Sequence, residues 1–149
     1  LLKPIIELQK KTMAKKGIHF FIKKTQGKLL PVEADPQAVK IAFLNILENA
    51  VLYTPKGGSI TVEIRQTTSG VEIVVEDTGI GVSEADKIRI FDKFFRGINA
   101  VRMETDGNGL GLFIVKNIAE SHGGSVRFRS EEGKGSLFAF TLPLAKKSS

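Results

Sequence analysis

Hydrophobic and polar positions alternate with a period of two in neighbouring stretches of the chain. Ile60, Val62 and Ile64 are interleaved with Thr61, Glu63 and Arg65, and Val71, Ile73 and Val75 repeat the pattern after Ser69-Gly70. Successive side chains of a strand point to opposite faces, so both stretches predict strands with one buried and one wet face. The second runs straight into Asp77. Upstream the period changes. Val39, Phe43, Ile46 with Leu47, and Ala50 recur at helical spacing. Asp35 is a good N-cap, and Pro36 at the first helical position lacks only an amide hydrogen that would have no partner there. The helix is expected to stop near Thr54-Pro55, before Gly57-Gly58. Short strands are expected over 18–23 and 30–33, with a turn between them.

Residues 82–106 show neither period. A connection of that length is usually functional or disordered. The stretch 110–121 reads as a mostly buried helix ended by Gly123-Gly124. Stretches 125–129 and 137–142 then predict a hairpin around a glycine-rich turn. Strands, helix, hairpin, loop, helix and hairpin in that order imply an α+β fold. It would be a two-layer α/β sandwich, a mixed β-sheet with helices on one face. Residues 18–145 are taken as the domain and 146–149 as a loose tail. Residues 1–17 are the tail of a neighbouring helix, a linker or a mobile end.

The 149 residues suit one domain with its own core. At 42% hydrophobic and 26% charged, the chain is of globular rather than disordered type. A net charge of +6 favours anions but does not choose among nucleotide phosphates, acidic partners, nucleic acid and membrane surfaces. The lack of cysteine excludes disulfides, thiolate metal sites and a cysteine nucleophile. No apolar run approaches the roughly 20 residues that span a bilayer. The first residue is Leu1 and no secretory signal is visible, so a fragment of a longer protein is expected.

Four segments carry candidate chemistry. Asn45 and Asn49 are four apart and share a helical face. Their amide oxygens are hard, neutral ligands suited to Mg²⁺, although surface or capping asparagines give the same pattern. Asp77 ends a buried strand and precedes Gly79 and Gly81. A carboxylate there can accept an exocyclic amino group, and the glycines allow close approach of a flat ring. An ordinary Asp-Thr-Gly turn is the alternative. Gly107, Gly109 and Gly111 lead through Leu110 into a helix, where amide hydrogens and the helix dipole favour phosphate. A mobile linker would look alike. The spacing fits neither the Walker pattern nor the dinucleotide fingerprint. Phe91, Phe94 and Phe95 lie beside Lys93 and Arg96, either as lid anchors with phosphate-facing cations or as core of a short helix.

Taken together in this order, the segments resemble the ATP-binding catalytic domain of sensor histidine kinases, within the gyrase and chaperone ATPase superfamily that shares the Bergerat fold. The match covers roughly residues 18–143. Residues 45–54 are similar to the N box, 77–81 to the first glycine box, 91–95 to the F box and 107–112 to the second glycine box. The resemblance implies that Asn49 binds Mg²⁺ with Asn45 close to metal and phosphates, and that Tyr53 packs on adenine. Asp77 would take the adenine amino group, with Gly79 and Gly81 beneath the base. Gly107, Gly109, Leu110 and Gly111 would belong to a mobile ATP lid, with Lys93 and Arg96 as weaker phosphate contacts.

Hydrolases of the superfamily carry a glutamate one turn before the metal asparagine. Asn45 stands there and cannot act as a general base, which favours donation of the γ-phosphate over hydrolysis. The acceptor would be a histidine on a separate dimerisation and phosphotransfer domain of the same parent, so that residues 1–17 would end a dimerisation helix. A response regulator receiver domain would then take the phosphate. The resemblance implies a cytoplasmic domain, whether or not the parent is membrane-anchored, without nucleic-acid or membrane contact of its own. Leu52 departs from the pattern, because lysine often precedes the N-box tyrosine. A superfamily ATPase, a serine kinase and a degenerate nucleotide-binding regulator remain as alternatives.

Overall fold

The computed structural model describes residues 1–23, 25, 27–92 and 111–145. Five strands form one sheet: β1 (His19–Lys23), β2 (Ser59–Gln66), β3 (Gly70–Asp77), β4 (Ser125–Glu131) and β5 (Gly135–Pro143), in the order β1-β2-β3-β5-β4. β1 runs parallel to β2 and every other pairing is antiparallel, so the sheet is mixed. A parallel pair needs a crossover rather than a tight turn. That crossover contains α2 (Pro36–Tyr53), whose N-cap Asp35 accepts a hydrogen bond from the Gln37 amide at 3.0 Å. The remaining helices among the described residues are α1 (Lys3–Lys16), the single turn α3 (Glu84–Lys87) and α4 (Gly111–Ser121).

Strand register builds the core in rows. Ile64, Ile73, Phe140 and Val126 stand abreast across β2, β3, β5 and β4, and Val62, Val75, Phe138 and Phe128 form the next row. Both rows join one hydrophobic core with Val39, Phe43, Ile46, Leu47 and Ala50 of α2 and Val115 and Ala119 of α4. α1 adds Ile6 and Met13 to that core. The third row begins with Ile60 and then turns polar, continuing with Asp77, Ser136 and Ser130. The sheet is thus closed at one end by hydrogen-bonding groups rather than hydrocarbon. On its other face Glu72 pairs with Arg65 at 2.9 Å and Arg127 at 3.3 Å, tying three strands together.

Two expectations are revised. The stretch 30–33 is no strand: Pro31 has no amide to donate, and Val32 forms only an isolated bridge with Leu144. α4 is buried along one face only, at Val115 and Ala119. The lid expected within 93–110 lies outside the described residues. No described helix is long and apolar enough to cross a membrane.

Two side chains lock the helices in place. Lys16 donates to the carbonyls of Val51 and Leu52 at 2.7 and 2.8 Å, satisfying acceptors that the end of α2 leaves open. The Asp35 amide donates to His122 Nε2 at 3.1 Å, so Nδ1 carries the ring proton and donates to the Ile118 carbonyl at 2.8 Å. His122 thereby joins the end of α4 to the start of α2.

Candidate functional site

Asn45, Asn49 and Tyr53 follow one another at four-residue intervals along α2 and share a face. At 1.5 Å per residue they span about 12 Å of helix. The segment after β3 closes on the Tyr53 end. The Ile80 amide donates to the Tyr53 carbonyl at 3.2 Å. A side chain at Gly79 would begin 2.6 Å from the Tyr53 carbonyl oxygen and 2.8 Å from Asp77 Oδ1, so only glycine fits between them. Gly81 has a φ of +69° and faces the Glu131 carbonyl, where a β-carbon would collide. The Thr78 hydroxyl and amide hold both backbone groups of Ser59, at 2.9 and 3.0 Å. The Gly133 amide donates to the Ile80 carbonyl at 2.7 Å. The loop is therefore fixed between α2 and the β4–β5 turn.

Asp77 is only 7% exposed. Its Oδ1 accepts the amides of Gly79 at 2.8 Å and Ser136 at 3.3 Å. Among the described residues Oδ2 accepts nothing, although it is not sealed off from solvent. Burial pushes the carboxyl up to about 6; the Gly79 and Ser136 amides pull it back, and Glu76 raises it slightly. The group is therefore largely ionised at neutral pH and retains one open acceptor. That combination fits a ligand presenting an N–H group, such as an amino-substituted ring lying over Gly79.

At the far end of the face, Asn45 meets the start of α4. Its Nδ2 donates to the Ile41 carbonyl at 2.8 Å, which leaves Oδ1 as the outward acceptor. A β-carbon on Gly111 would lie 3.0 Å from that oxygen. Asn49, half-buried between the two ends, makes no side-chain hydrogen bond among the described residues. No group of three or more His, Asp or Glu side chains could hold a metal among the described residues. Any Mg²⁺ here would rest on amide oxygens and a ligand's own phosphates, which suits its habit of taking few protein ligands.

The structure thus brings together Tyr53, Asp77, Gly79 and Gly81 at the C-terminal end of α2, and Asn45 with Gly111 at its middle. Lys93, Arg96, Gly107, Gly109 and Leu110 lie outside the described residues. Phe91 is half-buried against the core, edge-on to Phe128 and Phe138 with centroids 6.3 and 6.4 Å away. Lys56 lays its stem against Gly17. Sequence reasoning missed Thr78, Ser130 and Ser136. A usable signal existed for Ser130, because it follows Val126 and Phe128 at strand spacing and breaks an apolar row with a hydroxyl.

Comparison with known proteins gives this arrangement a family. Residues 34–146 match the family described as histidine kinase-, DNA gyrase B- and HSP90-like ATPase. The chain belongs to that family. Among curated relatives of this ATPase domain, the sensor-like histidine kinase SenX3 of Mycobacterium tuberculosis is 40% identical over 114 residues, which are 76% of this chain and 28% of SenX3. The chain thus spans less than a third of that relative's length. The catalytic domain of histidine kinase ThkA superposes with a TM-score of 0.80 at 30% identity, covering 95% of this chain and 89% of that domain. ThkA is also solved in complex with the response regulator protein TrrA, with a TM-score of 0.76 at 26% identity over 97% of this chain and 39% of that one. Full-length ShkA in complex with AMPPNP gives 0.81 at 32% identity, covering 99% of this chain and 30% of ShkA. The ATPase domain described here therefore has the α+β fold of histidine kinase catalytic domains.

Proposed function

We propose that this domain binds ATP with Mg²⁺ and donates the γ-phosphate to a histidine on a separate dimerisation and phosphotransfer domain of the same parent. A receiver domain of a response regulator takes the phosphate next. The observation that carries the site is the buried Asp77 carboxylate, with one oxygen held by the Gly79 and Ser136 amides and the other left open as an acceptor. Adenine presents an amino group to that oxygen and lies against Gly79, Gly81 and Tyr53. The triphosphate runs along α2 toward Asn49, Asn45 and Gly111, with Lys93, Arg96, Gly107, Gly109 and Leu110 as its further contacts. Asn49 would hold Mg²⁺, with Asn45 beside it, and the metal would supply positive charge to offset that of the phosphates.

Phosphoryl transfer asks the protein mainly to position groups and balance charge. The bond from the γ-phosphorus to its bridging oxygen breaks, a bond to the histidine nitrogen forms, and ADP leaves. The Asn45 amide cannot remove a proton from water, so donation to a protein acceptor is favoured over hydrolysis. α1 leads into the domain from the dimerisation helices. Likeness to SenX3 and ThkA over most of this chain, and the solved ThkA complex with a response regulator, support this reading. The direct test mixes the domain with radiolabelled ATP and a separately made dimerisation domain of its parent. Acid-labile, base-stable label on that domain is expected. Rapid phosphate release without protein labelling would favour an ATPase instead.

A further inference from the structure

We propose that Ser130 is a positioning residue of the nucleotide site, orienting the Asp77 carboxylate through the Gly135–Ser136 peptide and fixing the end of the glycine loop through Val82. This rests on the reading that Asp77 meets the adenine ring.

Ser130 is 7% exposed, in a strand face that is otherwise Val126 and Phe128. A hydroxyl has one proton to donate and two lone pairs to accept with. Here all three are committed. Ser130 Oγ donates to the Gly135 carbonyl at 2.8 Å, accepts the Val82 amide at 2.8 Å and lies 2.9 Å from Ser136 Oγ, which must then be the donor. The Gly135 carbonyl and the Ser136 amide are the two ends of one peptide unit, and that amide donates to Asp77 Oδ1. A bond made to the carbonyl polarises the peptide and strengthens its N–H as a donor. The chain therefore runs from Val82 through Ser130 and one peptide to the carboxylate, and it keeps Oδ1 engaged and Oδ2 free. Register explains why this is possible, since Asp77, Ser136 and Ser130 stand abreast on β3, β5 and β4.

Among the described residues the charged group that acts on Asp77 is Glu76, its neighbour on β3, and α2 brings the Tyr53 carbonyl against Gly79 beside it. Replacing Ser130 changes neither, so a changed titration of Asp77 would report the hydroxyl.

The test compares wild type, Ser130→Ala, Ser130→Thr and Asp77→Asn by calorimetry with ATP and by NMR titration of the Asp77 carboxyl. In Ser130→Ala, affinity at neutral pH is expected to fall about 3- to 10-fold, the range of one net hydrogen bond. The Asp77 midpoint should also move up, because the Ser136 amide is a weaker donor. Ser130→Thr, which keeps the hydroxyl, should restore both. Ser130→Ala with a lower melting temperature but wild-type titration and affinity would make Ser130 purely structural and overturn the proposal. Should the alanine variant not fold, Ser130→Cys, of similar size and with a weak donor, gives the same comparison. Undiminished ATP affinity in Asp77→Asn would instead remove Asp77 from the nucleotide site, taking this inference with it. Weakening in Asp77→Asn alone would defeat the Ser130 role and leave the site intact.

Discussion

Asp77 is held in a state that costs stability, and on the proposed reading that state serves binding. Its carboxyl sits near 6 when folded against 3.8 as an isolated group, so the folded domain takes up a proton on that side chain between those values. Without nucleotide, stability from this group is present at low pH and is lost as pH rises from about 4 through about 6, by roughly 3 kcal/mol. Asparagine mimics the neutral acid. The Asp77→Asn domain should therefore be the more stable one above pH 6, with the advantage vanishing below about pH 4. Denaturant melts of both proteins at several pH values would show it, and an equal difference at every pH would contradict it. An amino donor favours the ionised carboxylate, so wild-type nucleotide affinity should drop as pH falls below about 6. Asn49 supports a separate prediction. Asn49→Ala should remove most of the Mg²⁺ dependence of ATP binding and leave metal-free binding near wild type, read by calorimetry with and without EDTA.

At the scale of elements, the period-two and period-3.6 patterns marked β2, β3, α2 and the last hairpin, because each has one face in the core and one in water. Asp77 was legible for the same reason, as a carboxylate at the end of an alternating strand and before Gly79. The polar row was not. Ser130 and Ser136 become partners only through the register of β3, β5 and β4, and no local pattern carries that information. Pro31 shows the opposite failure, where an apolar run looked like a strand but lacked the amide a ladder needs. His122 is similar: its place at a helix end was readable, but its bond to the Asp35 amide 87 residues away was not. His122→Ala should lower stability by about 1–2 kcal/mol, since the Asp35 amide loses its acceptor. ATP affinity should not change. A melt and a binding isotherm on the same sample would separate the two effects.

Over the whole molecule, α2 works as a ruler. Its C-terminal end is bonded to the loop after β3 through the Tyr53 carbonyl, and midway along it Asn45 lies against Gly111 at the start of α4. Lys16 and His122 hold that ruler from α1 and α4. On the proposed reading, base and phosphate contacts lie about two turns of helix apart on one rigid element. On that reading, the open oxygen of Asp77 receives the amino group of adenine. Guanine carries a carbonyl oxygen where adenine carries that amino group, and an asparagine amide can donate to it as well as accept. The most direct measurement is the ratio of ATP to GTP affinity for the wild-type and Asp77→Asn domains. A strong preference for ATP that falls at least about tenfold in the variant is predicted, the scale of one lost charge-assisted hydrogen bond. The same preference in both folded proteins would contradict the account.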